Sequence, residues 1–283
     1  MERIGVVGCG LMGAGIAEVC ARAGKDVVVA ESSPQAVAAG HARLEKSLQR
    51  AEARGKIDSA ADVMARIRVV EDLNELADRD LVIEAIVEDE TAKTDLFRQL
   101  DKIVTSPDAI LASNTSSIPI MKLGVVTSRP ERVLGIHFFN PVPVLKLVEL
   151  VPSIVTAKEV TELAREFVEN DLGKSAIDCQ DRAGFVVNAL LIPFILSAIR
   201  MYESGFASAE DIDNGLVLGA AHPQGPLALA DLIGLDTTKA VAESLYEEFK
   251  EQLYAAPPLL NRMVDAGLLG RKTGRGFYTY DAR

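Results

Sequence analysis

The stretch Arg3-Ile4-Gly5-Val6-Val7-Gly8-Cys9-Gly10-Leu11-Met12-Gly13 decides the fold of this chain of 283 residues. Its first half is a short β-branched run that predicts a strand, and its second half matches the pattern GxGxxG. Residues 14–23 then read as a helix, and Glu31 closes the next predicted strand. A strand, a glycine-rich turn, a helix and a second strand ending on an acid are typical of a dinucleotide-binding unit.

The chemistry of this unit follows from its residue types. Glycines permit a tight turn and a close approach of the backbone to a pyrophosphate, which the N-terminus of the helix attracts. A carboxylate at Glu31 can bind ribose hydroxyls but would repel a 2′-phosphate, and neither Ser32 nor Ser33 supplies a cation to neutralise one. The sequence therefore predicts NAD rather than NADP as the cofactor. Its predicted contacts here are Gly8, Gly10, Leu11, Met12, Gly13 and Glu31.

The order of predicted elements gives the fold class. Short β-branched runs alternate with helical patterns up to about residue 150, which predicts an α/β fold with a Rossmann-type doubly wound sheet. Beyond residue 181 the chain reads as helices separated by Gly and Pro, so an all-helical C-terminal domain is expected. We place the domains at residues 1–182 and 183–283. The strands are expected at residues 4–7, 27–30, 67–69, 81–86, 109–112, 133–138, 145–150 and 175–179.

Composition excludes several classes of protein. Thirty Lys and Arg stand against 41 Asp and Glu, and the formal net charge of −11 disfavours a nucleic-acid or anionic-membrane binder. Three widely separated cysteines predict neither a disulfide scaffold nor a metal site, and a cytoplasmic location is expected. The most apolar run, residues 185–199, is too short to cross a bilayer, which takes about 20 residues.

Candidate catalytic residues lie near the end of the predicted sheet. If the strands before and after Pro143 pair in antiparallel fashion about that residue, His137 and Glu149 stand opposite each other. A carboxylate beside an imidazole suits a general base. A core histidine beside an unrelated exposed glutamate fits the residues equally well. The polar run Ser113-Asn114-Thr115-Ser116-Ser117 follows another strand, where it could bind a carbonyl or hydroxyl group or form an ordinary turn.

Five motifs in order resemble the short-chain L-3-hydroxyacyl-CoA dehydrogenases. They are the glycine pattern, Ser113–Ser117, His-Phe-Phe-Asn-Pro-Val-Pro from His137, Gly-Phe-Val-Val-Asn from Gly184, and Lys-Thr-Gly-Arg-Gly-Phe-Tyr from Lys272. The resemblance spans essentially the whole chain. The length of the chain also resembles that of the bacterial 3-hydroxybutyryl-CoA dehydrogenases. It implies NAD-dependent interconversion of 3-hydroxyacyl-CoA and 3-ketoacyl-CoA.

The resemblance also implies residue roles. His137 would be the general acid and base, Glu149 its partner, and Ser116 and Asn188 would bind the reacting oxygen or the thioester carbonyl. Further cofactor contacts would be Glu88, Lys93, Asn114, Asn140 and Lys272.

A basic stripe is the expected site for the anionic CoA tail. Arg43, Lys46, Arg50 and Arg54 recur at helical spacing, and Lys56 follows. A solvated helix face is the plainer interpretation. The resemblance favours substrate contacts at Ser47, Arg54 and Lys56, although the family has lysine where this chain has Arg54; either cation pairs with phosphate, in different geometry.

Two alternatives remain at this point. A related sugar-acid dehydrogenase of the L-gulonate type shares the architecture but resembles the chain less at the serine and histidine motifs. A non-catalytic NAD-binding protein would not need the His137 and Glu149 pair. The apolar character of the C-terminal helices, together with the resemblance, predicts a homodimer through that domain.

Overall fold

The computed structural model describes residues 1–280. It forms two compact units, Met1–Asp181 and Arg182–Arg283. The first is an α/β unit and the second is helical, so the predicted fold class is confirmed.

An eight-stranded sheet organises the first unit, with the strand order β3-β2-β1-β4-β5-β6-β7-β8. The strands β1 to β6 are parallel, β7 runs antiparallel to β6, and β8 runs parallel to β7. In chain order the strands are Arg3–Val7, Asp26–Ala30, Ile67–Val70, Leu81–Glu84, Ile110–Ser113, Val133–Phe138, Leu147–Pro152 and Ser175–Asp178.

Six helices accompany the sheet. The central strands β4, β5 and β6 are buried along their whole length, as expected for parallel strands covered on both faces by helices. The sequence pattern predicts a helix over residues 158–170, and the structure has an α-helix there that continues as the π-helical turn Phe167–Asp171. In chain order α1 to α6 are Leu11–Arg22, Pro34–Ala53, Ala60–Met64, Glu90–Ile103, Ile120–Gly124 and Lys158–Glu166.

The part of the second unit that the structure describes, residues 182–280, contains five α-helices around an apolar core. The sequence pattern predicts four of them, at residues 185–204, 208–218, 237–253 and 258–266. It misses α9, because two prolines and a glycine between residues 223 and 226 are typical of a loop. The helix is nevertheless capped from a distance, because the buried Asp213 carboxylate accepts hydrogen bonds from the N–H groups of Leu227 and Ala228. In chain order α7 to α11 are Val187–Glu203, Ala209–Ala220, Pro226–Ile233, Leu235–Phe249 and Pro258–Asp265.

The glycine- and aromatic-rich C-terminal segment docks on the same unit. The carboxylate of Asp231 accepts hydrogen bonds from the backbone of Phe277 and Tyr278 and from the hydroxyl of Tyr280. Burial, followed by the nearby charge of Asp213, raises the pKa of Asp231 against the opposing effect of these hydrogen bonds. Within residues 1–280 no helix is long and apolar enough to cross a membrane.

Candidate active site

The glycine turn after β1 has the shape that its sequence predicts. Gly8 has φ +91°, in the left-handed region that favours glycine. A Cβ atom on Gly13 would lie 1.8 Å from the carbonyl oxygen of Gly8, so no side chain fits there. A Cβ atom on Gly10 would meet nothing within 4 Å, which leaves the backbone open on that side.

A cleft of about 750 Å³ begins at this turn, and its volume lies within the usual range for a small-molecule or cofactor site. It lies at the carboxyl ends of β1, β2 and β4, where doubly wound sheets bind their ligands. The open backbone of Gly10, the N-terminus of α1 and the carboxylate of Glu31 fit a dinucleotide. The lining includes Gly8, Gly10, Ala30, Glu31, Ser32 and Ile86.

Cys9 is held from both sides by charged groups. Its N–H donates to the Glu31 carboxylate at 2.5 Å, and its carbonyl accepts from the Arg43 guanidinium at 2.5 Å. Helix α2 can approach this closely because Gly40 has no side chain; a Cβ atom there would lie 2.7 Å from the Cys9 side chain. Burial, and then the charge of Glu31, raises the pKa of Cys9 to about 12. The thiol is therefore a neutral packing group.

His137 and Glu149 form the buried centre of the second part of the site. The antiparallel register of β6 and β7 pairs them directly, as the spacing about Pro143 predicts. The His137 Nδ1 atom lies 2.7 Å from the Glu149 carboxylate, and the two residues are 4% and 0% exposed. Since a carboxylate only accepts, Nδ1 carries the proton and Nε2 keeps its lone pair when the ring is neutral.

Ser116 lies on the other side of the imidazole. Its hydroxyl lies 3.0 Å from His137 Nε2. Because Nδ1 carries the proton, Nε2 accepts this hydrogen bond and the Ser116 hydroxyl donates it. The loop that carries Ser116 wraps around the carboxylate of Glu88, which accepts from the Thr115 hydroxyl at 2.6 Å and from the Ser116 N–H at 2.8 Å. Serine, histidine and glutamate thus form one continuous line of hydrogen bonds from the site into the sheet.

Lys93 is a buried residue between two carboxylates. Its ammonium group lies 2.5 Å from Glu84 and 3.1 Å from Glu88, and its side chain is only 1% exposed. Glu84 is fully buried and also accepts from the Ser113 hydroxyl at 2.6 Å. Lys93 therefore belongs to a buried ion-pair network next to residues 115–117, which we call the serine loop.

The other predicted cofactor contacts are spread over both units. Asn114 is nearly buried, and its side-chain oxygen accepts from the N–H of Phe138 at 2.8 Å. Asn140 is exposed in the loop after β6. In the second unit, Lys272 pairs with Asp236 at 2.5 Å. Asn188, a predicted substrate contact, lies in the first turn of α7 and is partly exposed.

The basic stripe of α2 divides into two parts. Arg43 turns to the glycine loop, and the Ser47 hydroxyl donates to the buried Glu18 at 2.5 Å. Arg54 and Lys56 are exposed at and beyond the C-terminal end of the helix. Lys46 and Arg50 are exposed as well, so these four cations are accessible to an anion from solvent.

The sequence gives no sign of three contacts of the candidate site. It predicts no link between Arg43 and Cys9, no ion pair between Lys93 and Glu84, and no role for Glu88 in the serine loop. The closeness of Glu84 and Ser113 is predictable from the sequence. Each residue ends one of two neighbouring parallel strands, and the carboxyl ends of such strands meet at one edge of a sheet. No group of three or more His, Cys, Asp or Glu within residues 1–280 is arranged to hold a metal ion.

Comparisons with known proteins agree over both units. The sequence model of the 3-hydroxyacyl-CoA dehydrogenase NAD binding domain matches residues 3–182, and that of the 3-hydroxyacyl-CoA dehydrogenase C-terminal domain matches residues 184–280. A 3-hydroxybutyryl-CoA dehydrogenase of Mycobacterium tuberculosis is 56% identical over 282 residues, 99% of each chain. The human mitochondrial hydroxyacyl-coenzyme A dehydrogenase is 41% identical over 99% of this chain and 91% of its own.

Solved structures give the same result. The crystal structure of M. tuberculosis FadB2 has a TM-score of 0.98 and 56% identity, covering 99% of each chain. That of (S)-3-hydroxybutyryl-CoA dehydrogenase from Ralstonia eutropha has a TM-score of 0.93 and 46% identity, covering 100% of each chain.

Proposed function

The chain belongs to the 3-hydroxyacyl-CoA dehydrogenase family of NAD-dependent oxidoreductases, and from that membership we propose that it oxidises (S)-3-hydroxybutyryl-CoA to acetoacetyl-CoA and catalyses the reverse reduction. The observation that supports this most is the line of hydrogen bonds from the buried Glu149 and His137 to the partly exposed Ser116. That line presents a basic nitrogen whose tautomer is fixed, next to a hydroxyl donor, which suits the removal of a proton from an alcohol.

His137 is the proton acceptor in the oxidation. When bound, NAD supplies the acceptor for the hydride that leaves carbon 3 of the substrate. Nε2 of His137 takes the proton of the 3-hydroxyl group, and in the reduction it returns that proton to the ketone oxygen. Glu149 stabilises the imidazolium that forms, since the carboxylate is 2.7 Å away and excluded from water.

Ser116 orients the reacting oxygen. Its hydroxyl lies at the accessible nitrogen of the imidazole, where it can share a hydrogen bond with a substrate oxygen. The role of Asn188, binding the reacting oxygen or the thioester carbonyl, stays a prediction that rests on the family motif. Replacing Asn188 by Ala and measuring the Michaelis constant for acetoacetyl-CoA tests it.

The proposed cofactor contacts are the glycine turn, the start of α1 and Glu31, which lie at the cleft. Gly8, Gly10 and Gly13 form the turn, Leu11 and Met12 begin the helix that would face the pyrophosphate, and the Glu31 carboxylate would bind the ribose. Asn114, Asn140 and Lys272 remain proposed contacts from the family motifs.

Replacing Glu31 by Ala is expected to weaken NADH binding by about tenfold or more, on the scale of losing hydrogen bonds to a charged group. NADPH affinity should fall less or improve, because the charge that repels a 2′-phosphate is removed and Arg43 remains at the neighbouring Cys9. Fluorescence titration of both nucleotides measures the change.

The control for this titration is Glu45→Ala, which removes an exposed carboxylate from the middle of α2. It should leave both affinities unchanged. A parent protein that already binds NADPH as tightly as NADH would refute the role given to Glu31.

Reversing the charges of Arg54 and Lys56 to Glu is expected to raise the Michaelis constant for acetoacetyl-CoA by about tenfold, the loss expected from two exposed ion pairs. The constant for NADH should hardly change. The effect should shrink as salt is added, because both side chains are exposed.

A truncated substrate tests whether the effect depends on the nucleotide phosphates of CoA. With acetoacetyl pantetheine, which lacks the nucleotide phosphates, the double variant should match the parent. Reversing the exposed Lys158, which lies on α6, serves as the matched control and should leave both substrates unaffected. An equal loss with both substrates would assign Arg54 and Lys56 to folding rather than to CoA binding.

The proposed activity is tested by following NADH consumption with acetoacetyl-CoA, in parallel with NAD reduction by L-gulonate. Rapid turnover of the thioester and none of the sugar acid is the expected result. Turnover of gulonate alone would favour the sugar-acid dehydrogenases. Nucleotide binding without turnover of either substrate would favour a non-catalytic NAD-binding protein.

We also propose that the protein is a cytoplasmic homodimer assembled through the second unit. That unit exposes large apolar side chains, as interaction surfaces do: Leu190 and Leu218 on helices and Phe206 in the turn between α7 and α8 are 72%, 83% and 78% exposed. Sedimentation velocity distinguishes a dimer from a monomer.

A further inference from the structure

The carboxylate of Glu88 accepts hydrogen bonds from the loop that carries Ser116, although the Glu88 side chain is 39% exposed. One of its oxygens, Oε1, accepts hydrogen bonds from the Thr115 hydroxyl at 2.6 Å, the Ser116 N–H at 2.8 Å and the Ser117 hydroxyl at 3.1 Å. Three consecutive residues thus point their donors at one atom. The side chain of the middle residue points the other way, to His137.

The second oxygen of Glu88 contacts a buried cation. Oε2 lies 3.1 Å from the ammonium group of Lys93, which is fully buried and also bound to Glu84. Burial alone would raise the pKa of Glu88, but the charge of Lys93 and the hydrogen bonds from Thr115 and Ser116 outweigh it and lower the pKa. Glu88 is therefore ionised at neutral pH and accepts all of these donors at once.

We propose that Glu88 is a positioning residue for the reaction, which acts by holding the Ser116 hydroxyl at Nε2 of His137. This goes beyond the role of cofactor contact expected from the family motif, and it rests on the proposed function. The charged anchor consists of Glu84, Lys93 and Glu88. It fixes the backbone of the serine loop, and the loop fixes the direction of the hydroxyl that orients the substrate oxygen.

A double-mutant cycle tests the proposal. Glu88→Gln keeps the size of the side chain but removes its charge and replaces one acceptor oxygen with an amide donor, which must face either the donors of the loop or the ammonium group of Lys93. With saturating NADH we expect kcat for acetoacetyl-CoA to fall about 10- to 100-fold, the effect of losing a hydrogen bond to a charged group. In the Ser116→Ala background the same change should lower kcat by less than about twofold, because the hydroxyl that Glu88 positions is gone.

The matched control is Glu90→Gln. Glu90 lies two residues further along the chain, where it pairs on the surface with Lys122. Its replacement should leave kcat unchanged. Glu88→Asp keeps the charge and should recover part of the activity. An undiminished loss in the Ser116→Ala background, or a loss confined to the Michaelis constant for NADH, would overturn the proposal and return Glu88 to cofactor binding.

A second measurement is independent of turnover. Diethyl pyrocarbonate modifies the free nitrogen of histidine, and peptide mass spectrometry separates His137 from His41 and His222. Both Glu88→Gln and Ser116→Ala should speed the modification of His137, while Glu90→Gln should not. Unchanged modification in Glu88→Gln would overturn the proposal even if acetoacetyl-CoA proved not to be the substrate. An inactive parent would overturn the proposed function alone.

Discussion

Replacement of His137 by Gln should lower kcat for acetoacetyl-CoA reduction by about 100- to 10,000-fold, the usual contribution of a general acid or base. Glutamine retains a hydrogen-bonding side chain but cannot give up a proton at neutral pH. The imidazole is 4% exposed and bonded to Ser116 and Glu149, so no neighbouring group on that line can take its place as a proton donor. Steady-state kinetics measure kcat, and fluorescence titration measures NADH affinity, which should be unchanged.

Two further variants serve as comparisons for His137→Gln. His41→Gln changes an exposed histidine of α2 and should leave kcat unchanged. Glu149→Gln should lower kcat and change its dependence on pH, because the imidazolium loses its counter-charge. Turnover of His137→Gln near the parent value would remove His137 from the chemistry. A pH profile in Glu149→Gln identical to that of the parent would mean that Glu149 does not act on it.

The second large effect concerns stability. Lys93→Met should destabilise the protein by about 3–5 kcal/mol, since it leaves the charge of the fully buried Glu84 without its cation. Glu88 loses the same partner, and the serine loop should loosen with it. Denaturant unfolding of the protein without nucleotide measures the free energy of unfolding.

Lys122→Met is the matched control for this experiment. Lys122 pairs with Glu90 at 2.7 Å, but both side chains are about half exposed, and such a pair contributes at most about 1 kcal/mol. If Lys93 served mainly to hold the cofactor, its loss would weaken NADH binding and leave the unfolding free energy close to that of Lys122→Met. That outcome would contradict the structural role given to Lys93.

The sequence predicts the parts of the site that local patterns determine. The glycine turn can be predicted because its conformation requires glycine at two positions. Gly8 has a positive φ, and a Cβ atom on Gly13 would clash with the carbonyl oxygen of Gly8. The pairing of His137 with Glu149 is readable because side chains alternate along a strand and a single turn sets the register.

The rest depends on contacts between elements that are distant in the sequence. Arg43 has the spacing of a surface stripe, and only the packing of α2 through Gly40 brings it to Cys9. Glu88 reaches residues 115–117 only because β4 and β5 are neighbours in the sheet. Neither contact has a periodicity, so no pattern within one element could reveal it.

In the proposed reaction of acetoacetyl-CoA with NADH, His137 transfers the proton. Rapid mixing of the preformed protein–NADH complex with acetoacetyl-CoA, followed by NADH absorbance during a single turnover, tests it most directly because product release does not affect the observed rate. We predict full oxidation of the bound NADH by both proteins, at least about 100-fold more slowly in His137→Gln than in the parent. Equal rates in the two proteins, or no oxidation of NADH by the parent, would contradict the account.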